Sequence, residues 1–332
     1  MIAKPTEATV VRSAPTRYTQ LPEVERRALN PTQLEKPAFL LAVPFSLATD
    51  VANNPWMEDL PHDQRRPNTK KALRQWLDLY HFVASEAMVY LLPSRGDCGL
   101  QDLVFTANLG IVLDHLADKN TAIVSNFSST PRVNEAPLGT AFFESLGYTT
   151  ARAPYPFEGE AELKHLYDDV YAGGYGIRSE RRAYEWMEQR FDMHVVKLQE
   201  TDRYLYHLDC TVYPATREQT LVCTELYSQK EIAELEGHTD IIDVSLDDCY
   251  AGICNSVRIS NTILNASHIT ELTAGTEDYA NEIAKNRRLE DIAADLGFEL
   301  SFFNLSEYHK SGALLSCMLL HLNRHSYTFA LT

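Results

Sequence analysis

An α/β fold of five quasi-symmetric units is predicted by three features of the sequence. A helix-like stretch followed by a strand-like run recurs five times at roughly fifty-residue spacing. Each run is trailed within about twenty residues by a polar motif. The chain's 332 residues are long enough to bury a large core, and a length near two average domains still permits one large α/β domain.

The first unit pairs a helix with apolar residues at Leu73, Trp76, Leu77 and Tyr80, opened by Asn68 and Thr69 as candidate caps, with the strand Met88–Leu92. In the second, the helical segment around Phe142 to Leu146 meets Gly147 and then Tyr148–Ala151. Arg181–Phe191 precedes His194–Leu198 in the third. Ser228-x-x-Glu231 forms a capping box opening the fourth helix, which ends near Gly237 before Ile241–Val244. The fifth helix, about Glu277 to Leu296, stops at Gly297 ahead of Phe298–Phe303. No single unit can bury its apolar face alone, so the five are expected to surround an axis. Residues 1–36, with several prolines and no periodicity, read as an N-terminal extension, and 37–332 as a single catalytic domain.

Composition narrows the function. With 45% hydrophobic and 23% charged residues the chain is that of an ordinary globular protein. A net charge of -16 argues against nucleic acid and anionic membrane surfaces as partners and favours small cationic substrates. The start lacks a secretory pattern and no apolar run is long enough to span a bilayer, so a cytoplasmic location is expected. The six cysteines are scattered, with no C-x-x-C pair, and read as free thiols. Three N-x-S triplets then have no route to glycosylation, and Gly173–Gly176 lacks the lysine of a phosphate loop.

The motifs after the five strands are Gln101–Asn108, Phe157–Glu162, Tyr206–Asp209, Asn255–Arg258 and the segment ending in Cys317. Around an axis they would converge on one cavity. Taken singly, each has a bland reading: Cys317 as packing in an apolar strand, His207-Leu-Asp209 as one solvated strand face, Asn108 as a turn residue, and Glu158, Glu162 and Arg178 as surface charges. Asp209 and Cys210 face opposite ways on a strand and no spaced ligand pair accompanies them, so no metal site is expected.

Asn54-Pro-Trp-Met57, Phe105-Thr-Ala-Asn108 and the Lys310–Cys317 block give the chain a resemblance to the guanidine-modifying, or pentein, superfamily of amidinotransferases, arginine deiminases and dimethylarginine dimethylaminohydrolases. The resemblance runs from about Phe39 to Leu322 and is strongest to the arginine dihydrolase branch. It implies a five-bladed αβ propeller around a polar site, a guanidino substrate such as free arginine, and no cofactor. It leaves a homo-oligomer open. Residue by residue it implies Cys317 as nucleophile, His207 as general acid and base, and Glu158 and Asp209 as the pair holding the guanidinium. Asn108, Asn54, Asp102 and Arg178 would bind substrate, Arg178 through its carboxylate. Asn108 stands where deiminases carry aspartate; Glu160-Ala161-Glu162 and Gly312–Ser316 depart from the glycine-rich patterns of the family. Other guanidino hydrolases or transferases, and a non-catalytic binding scaffold, are the alternatives.

The chemistry accounts for these residue types. A guanidinium carbon is a poor electrophile, so a thiolate must attack it and a positioned acid must protonate departing ammonia. Two carboxylates suit the planar cation through charge-assisted, fork-like hydrogen bonds.

Overall fold

The computed structural model describes residues 30–329 and contains five three-stranded sheets. Every sheet has the same order. A short inner strand runs antiparallel to a middle strand, which pairs in parallel with an outer strand. A parallel pair needs a crossover, and in each unit a helix supplies it. Middle strand Thr121–Val124, helix Glu135–Ser145 and outer strand Thr149–Arg152 form one such unit. Val170–Tyr175, Arg181–Phe191 and His194–Gln199 form the next, followed by Gln219–Val222, Gln229–Glu236 and Asp240–Asp243. Thr262–Ala266, Glu277–Asp295 and Glu299–Phe303 make the last.

The remaining sheet joins the two ends of the fold. Its middle strand Ala38–Ala42 reaches outer strand Met88–Leu92 through helix Thr69–Glu86, and its inner strand, Leu320–His321, comes from the far end of the chain. Thr32 Oγ1 ties the segment before this sheet to Leu322 O at 2.9 Å. Of the 1–36 segment, positions 1–29 lie outside the described residues.

Each of the five expected helix-to-strand units is present. Asn68 caps its helix through Lys71 N–H, the Ser228/Glu231 capping box is complete, and Gly297 takes the positive φ of 75° expected after a helix C-terminus. The buried stripe of the first helix differs from the expected one. Ala72, Gln75, Trp76, Leu79 and Val83 face inward, while Leu77 is exposed. Gln75 takes an inward place because its amide bonds Asn304, Ser306 and the Glu307 N–H.

Two local expectations are corrected. His207-Leu-Asp209 is not a strand: Leu208–Cys210 is a 3-10 turn with His207 at its N-cap. Cys317 likewise sits in the 3-10 turn Ser316–Met318, and the strand after it is only Leu320–His321. The reason is shared. Inner strands of two to five residues are entered through tight turns that present polar groups before the ladder begins.

Leu40 lies on the middle strand of the closing sheet with no exposure and packs among Leu103, Leu109 and Leu320. Truncation there leaves a cavity, so Leu40→Ala is expected to cost about 2–5 kcal/mol in denaturant unfolding. Phe45→Ala, at a side chain 57% exposed, should stay within about 0.5 kcal/mol. Equal costs would contradict this placement of the core.

Candidate active site

The turns that lead into four of the five inner strands place Asn108, Glu158, His207 with Asp209, and Cys317; the bend before the fifth, Val257–Ile259, carries Asn255. Adjacent turns abut closely. A Cβ on Gly159, whose φ is +66°, would lie 2.5 Å from Ala107 O and 2.7 Å from Asn108 C, so only glycine lets Glu158 sit beside Asn108. Gly312, at φ +71°, plays the same part on the loop before the cysteine, where a Cβ would lie 2.7 Å from Asn54 Oδ1.

Cys317, His207, Asn108, Asn54, Asp102 and Arg178 line one cavity together with Arg132 and Tyr206. Glu158 and Asp209 are fully buried at its edge, each bonded to one of the lining groups. Glu158 Oε2 is 2.9 Å from His207 Nε2, and its Oε1 is 3.4 Å from Arg178 Nη1. Burial alone would raise the Glu158 carboxyl, but the His207 hydrogen bond and the Arg178 charge prevail and hold it at about 2. His207 is pushed below its ordinary value by burial, with Glu158 opposing. Its imidazole is therefore neutral at neutral pH.

Asp209 serves the cysteine instead. The Cys317 thiol donates to Asp209 Oδ2 at 3.6 Å, and Ser316 Oγ donates to the same oxygen at 2.6 Å. Asn255 completes the support: its Oδ1 accepts from Ser316 N–H at 2.8 Å and its Nδ2 donates to Cys317 Sγ at 3.6 Å. Burial and the Asp209 charge push the thiol up to about 12. Among the described residues no hydrogen bond joins Cys317 to His207; the thiol and the imidazole are held by different acids.

Asn54, Asp102 and Arg178 are already engaged with protein partners. Asn54 caps helix Pro55–Asp59 through Met57 N–H and donates to Ser311 O at 2.9 Å, tying that helix to the cysteine loop. Asp102 accepts from Asn53 and Gln101, and burial raises its pKa. The Arg178 guanidinium stacks 4.8 Å above the Tyr206 ring. Arg132, missed in the sequence, contributes a second buried cation to the wall and forks onto Glu135 at 3.0 and 2.7 Å. Its spacing to Glu135 reads as a surface ion pair, so nothing local marked it. Of the Asn255–Arg258 motif only Asn255 reaches the cysteine; Arg258 bonds Ala215 O and Phe329 O and stacks on Phe298.

No protein-family model matches the chain. It is 28% identical over 289 residues to a bifunctional arginine dihydrolase/ornithine cyclodeaminase of Nostoc, covering 85% of this chain and 37% of that protein. The chain thus spans little more than a third of that relative's length. A dimethylarginine dimethylaminohydrolase of Mycobacterium tuberculosis is 29% identical over 173 residues, 52% of this chain and 53% of the relative. Among solved structures, the N-terminal domain of a cyanobacterial arginine dihydrolase bound to product superposes with a TM-score of 0.74 at 27% identity, covering 87% of this chain and 98% of that one. These relatives are guanidino-group hydrolases of the pentein superfamily, the family that the sequence motifs resemble.

Glu162, whose role the sequence left open, lies behind the His207 turn. Its Oε2 accepts from Leu208 N–H at 3.2 Å, midway between His207 and Asp209. It faces Glu200, and neither Glu200 oxygen has a hydrogen-bond donor among the described residues. Burial raises both carboxyls, Glu200 from 4.5 to about 8 and Glu162 well above 4.5, so the pair keeps protonation that ordinary carboxyls have lost at neutral pH. Between those values the folded protein keeps a proton that the unfolded chain has lost, and stability falls as pH rises. Glu200→Gln removes the Glu200 share of that dependence. The thermal midpoint of the variant relative to wild type should climb from pH 5 to pH 8, and a constant difference would rule the raised Glu200 carboxyl out.

Proposed function

We propose that the chain is a cysteine-dependent hydrolase of the guanidino group of free arginine, converting it to ornithine, ammonia and CO2. We propose further that the five sheets are the blades of an αβ propeller whose axis passes through the site. The observation that carries this reading is the joining, around one cavity, of Cys317 on Asp209 with His207 on Glu158, brought from turns far apart in the chain. Relatives acting on arginine and on methylated arginine share the same chemistry.

The empty site holds Cys317 as a thiol, because a thiolate beside buried Asp209 would be doubly penalised. An arriving guanidinium supplies the missing positive charge. Glu158 is suited to receive it, since Arg178 already presents a guanidinium to one of its oxygens at 3.4 Å. With the cation bound, the thiol proton passes to His207, whose imidazolium Glu158 stabilises, and the thiolate attacks the guanidinium carbon. The tetrahedral adduct collapses as that proton goes to departing ammonia, leaving a thiouronium on Cys317. His207 next takes a proton from water, the water adds to the same carbon, and the C–S bond breaks to give citrulline. A second round on the ureido group, with a second ammonia leaving, ends in a carbamate that decomposes to ornithine and CO2.

Asn108 favours the second round. Its amide both donates and accepts, so it can hold a cationic guanidinium or a neutral urea, whereas aspartate would favour only the cation. Mass analysis of products from arginine should show ornithine with about two ammonia per turnover, and Asn108→Asp should shift the product toward citrulline. Citrulline alone from wild type would make the chain a deiminase, and turnover confined to methylarginines would move it to the dimethylarginine branch.

The thiol itself can be tested in the absence of substrate. Alkylation of Cys317, followed by peptide mass, should be slow at pH 7 and accelerate only in the alkaline range. Asp209→Asn should lower that midpoint by removing the adjacent charge. Rapid labelling of the empty wild-type protein at neutral pH would show that the thiolate is preformed.

A further inference from the structure

A second enclosed cavity shares no lining residue with the one described above. Its walls include Ser316 and Leu319, on either side of the nucleophile's turn, and Glu160, Tyr213, His321 and Arg324. Three of these residues carry a buried polar atom with no hydrogen-bond partner among the described residues: Tyr213 Oη, His321 Nε2 and Arg324 Nη2. These residues are at most 5% exposed, so bulk water does not satisfy them. Single orphaned groups occur in folded proteins, but several around one cavity point to a guest.

The chemistry of that guest is set by what the walls offer. Glu160 is ionised, its charge held by Arg324 Nη1 at 2.8 Å and its Oε2 accepting from His321 N–H at 2.9 Å. His321 Nδ1 is 2.6 Å from Oε1 of the ionised Glu160, an approach that two lone pairs would not tolerate, so the ring proton sits on Nδ1 and Nε2 presents a lone pair; burial pushes the imidazole below its ordinary value. Arg324 Nη2 is a donor and Tyr213 Oη can donate. The fixed charges on the wall are Arg324 and Lys164 against Glu160, a net of one positive. The matching guest carries one negative charge, accepts two hydrogen bonds and donates one.

We propose that this cavity binds bicarbonate, with the two oxygens that lack a proton toward Arg324 Nη2 and Tyr213 Oη and the O–H toward His321 Nε2. Chloride matches the charge but has no donor for His321, and a dianion mismatches the charge. Glu160 belongs to the stretch Glu160-Ala161-Glu162 that departs from the family pattern, so the site is a feature of this chain's own residues. Under the proposed function the guanidino carbon leaves as CO2, whose hydrated form is this ion; that connection rests on the proposed function, and the binding itself does not.

Titration of the purified protein with [13C]bicarbonate, read by carbon linewidth and by the thermal midpoint at constant pH and ionic strength, tests the assignment. Saturable binding is expected for wild type and for Cys317→Ala, with sodium chloride giving no equivalent shift. Tyr213→Phe removes one hydrogen bond at constant shape and should weaken binding about 3- to 10-fold, and Arg324→Gln should weaken it more than about 10-fold. Should Arg324→Gln fail to fold by circular dichroism, Tyr213→Phe decides. No saturable binding would mean that the cavity holds water only. That result, an equal response to chloride, or wild-type affinity in Tyr213→Phe would each overturn the proposal, and none of them bears on whether arginine is hydrolysed.

Discussion

A carboxylate with no exposure stays ionised only if the protein supplies the partners that water would have supplied, and Glu158 is the group around which the centre of this fold is organised. His207 and Arg178 bond its two oxygens, Ser128 approaches at 3.3 Å, and Ser179 Oγ accepts from its backbone N–H. The turn bearing it presses on the Asn108 turn through Gly159, which leaves no room for a Cβ. Removing any one partner would leave a charge buried without compensation, a more severe fault than the loss of one bond. Outward from Glu158 the same rule repeats: Arg132 is matched by Glu135, Asp209 by Ser316, and Asp102 by Asn53 and Gln101.

The separation of supports has a chemical consequence. A cysteine paired directly with an imidazole would rest as a thiolate and react with any electrophile that entered. Here the cysteine faces a carboxylate and the imidazole faces another, so the resting state is a thiol beside a neutral histidine. Under the proposed function, positive charge on the ligand shifts the balance. Selectivity for cations and activation of the thiol would then be one property, which suits a chain of net charge -16.

Much of the framework was legible because helix and outer strand are half-exposed. Thr149–Arg152 and Asp240–Asp243 are partly exposed strands that follow helices closed by Gly147 and Gly237, and those stops mark where each strand begins. The middle strand Ala38–Ala42 is buried throughout and its run Ala-Phe-Leu-Leu-Ala has no period to read; inner strands such as Val212–Pro214 are too short. Cys317, His207, Glu158, Asp209 and Asn108 were found as ordered motifs. Arg132 and the support given by Asn255 were not, since both act through contacts between units that no local spacing encodes. The His207 turn was read as strand because one extended residue before a tight 3-10 turn leaves the same sequence pattern.

Direct detection of the covalent intermediate is the most direct test of the central claim, that Cys317 attacks the guanidino carbon. Protein quenched in acid during turnover of arginine and digested should carry a substrate-derived mass on the peptide containing Cys317 and on no other of the six cysteines. Turnover with no adduct at Cys317, or with the adduct on a different residue, would contradict it.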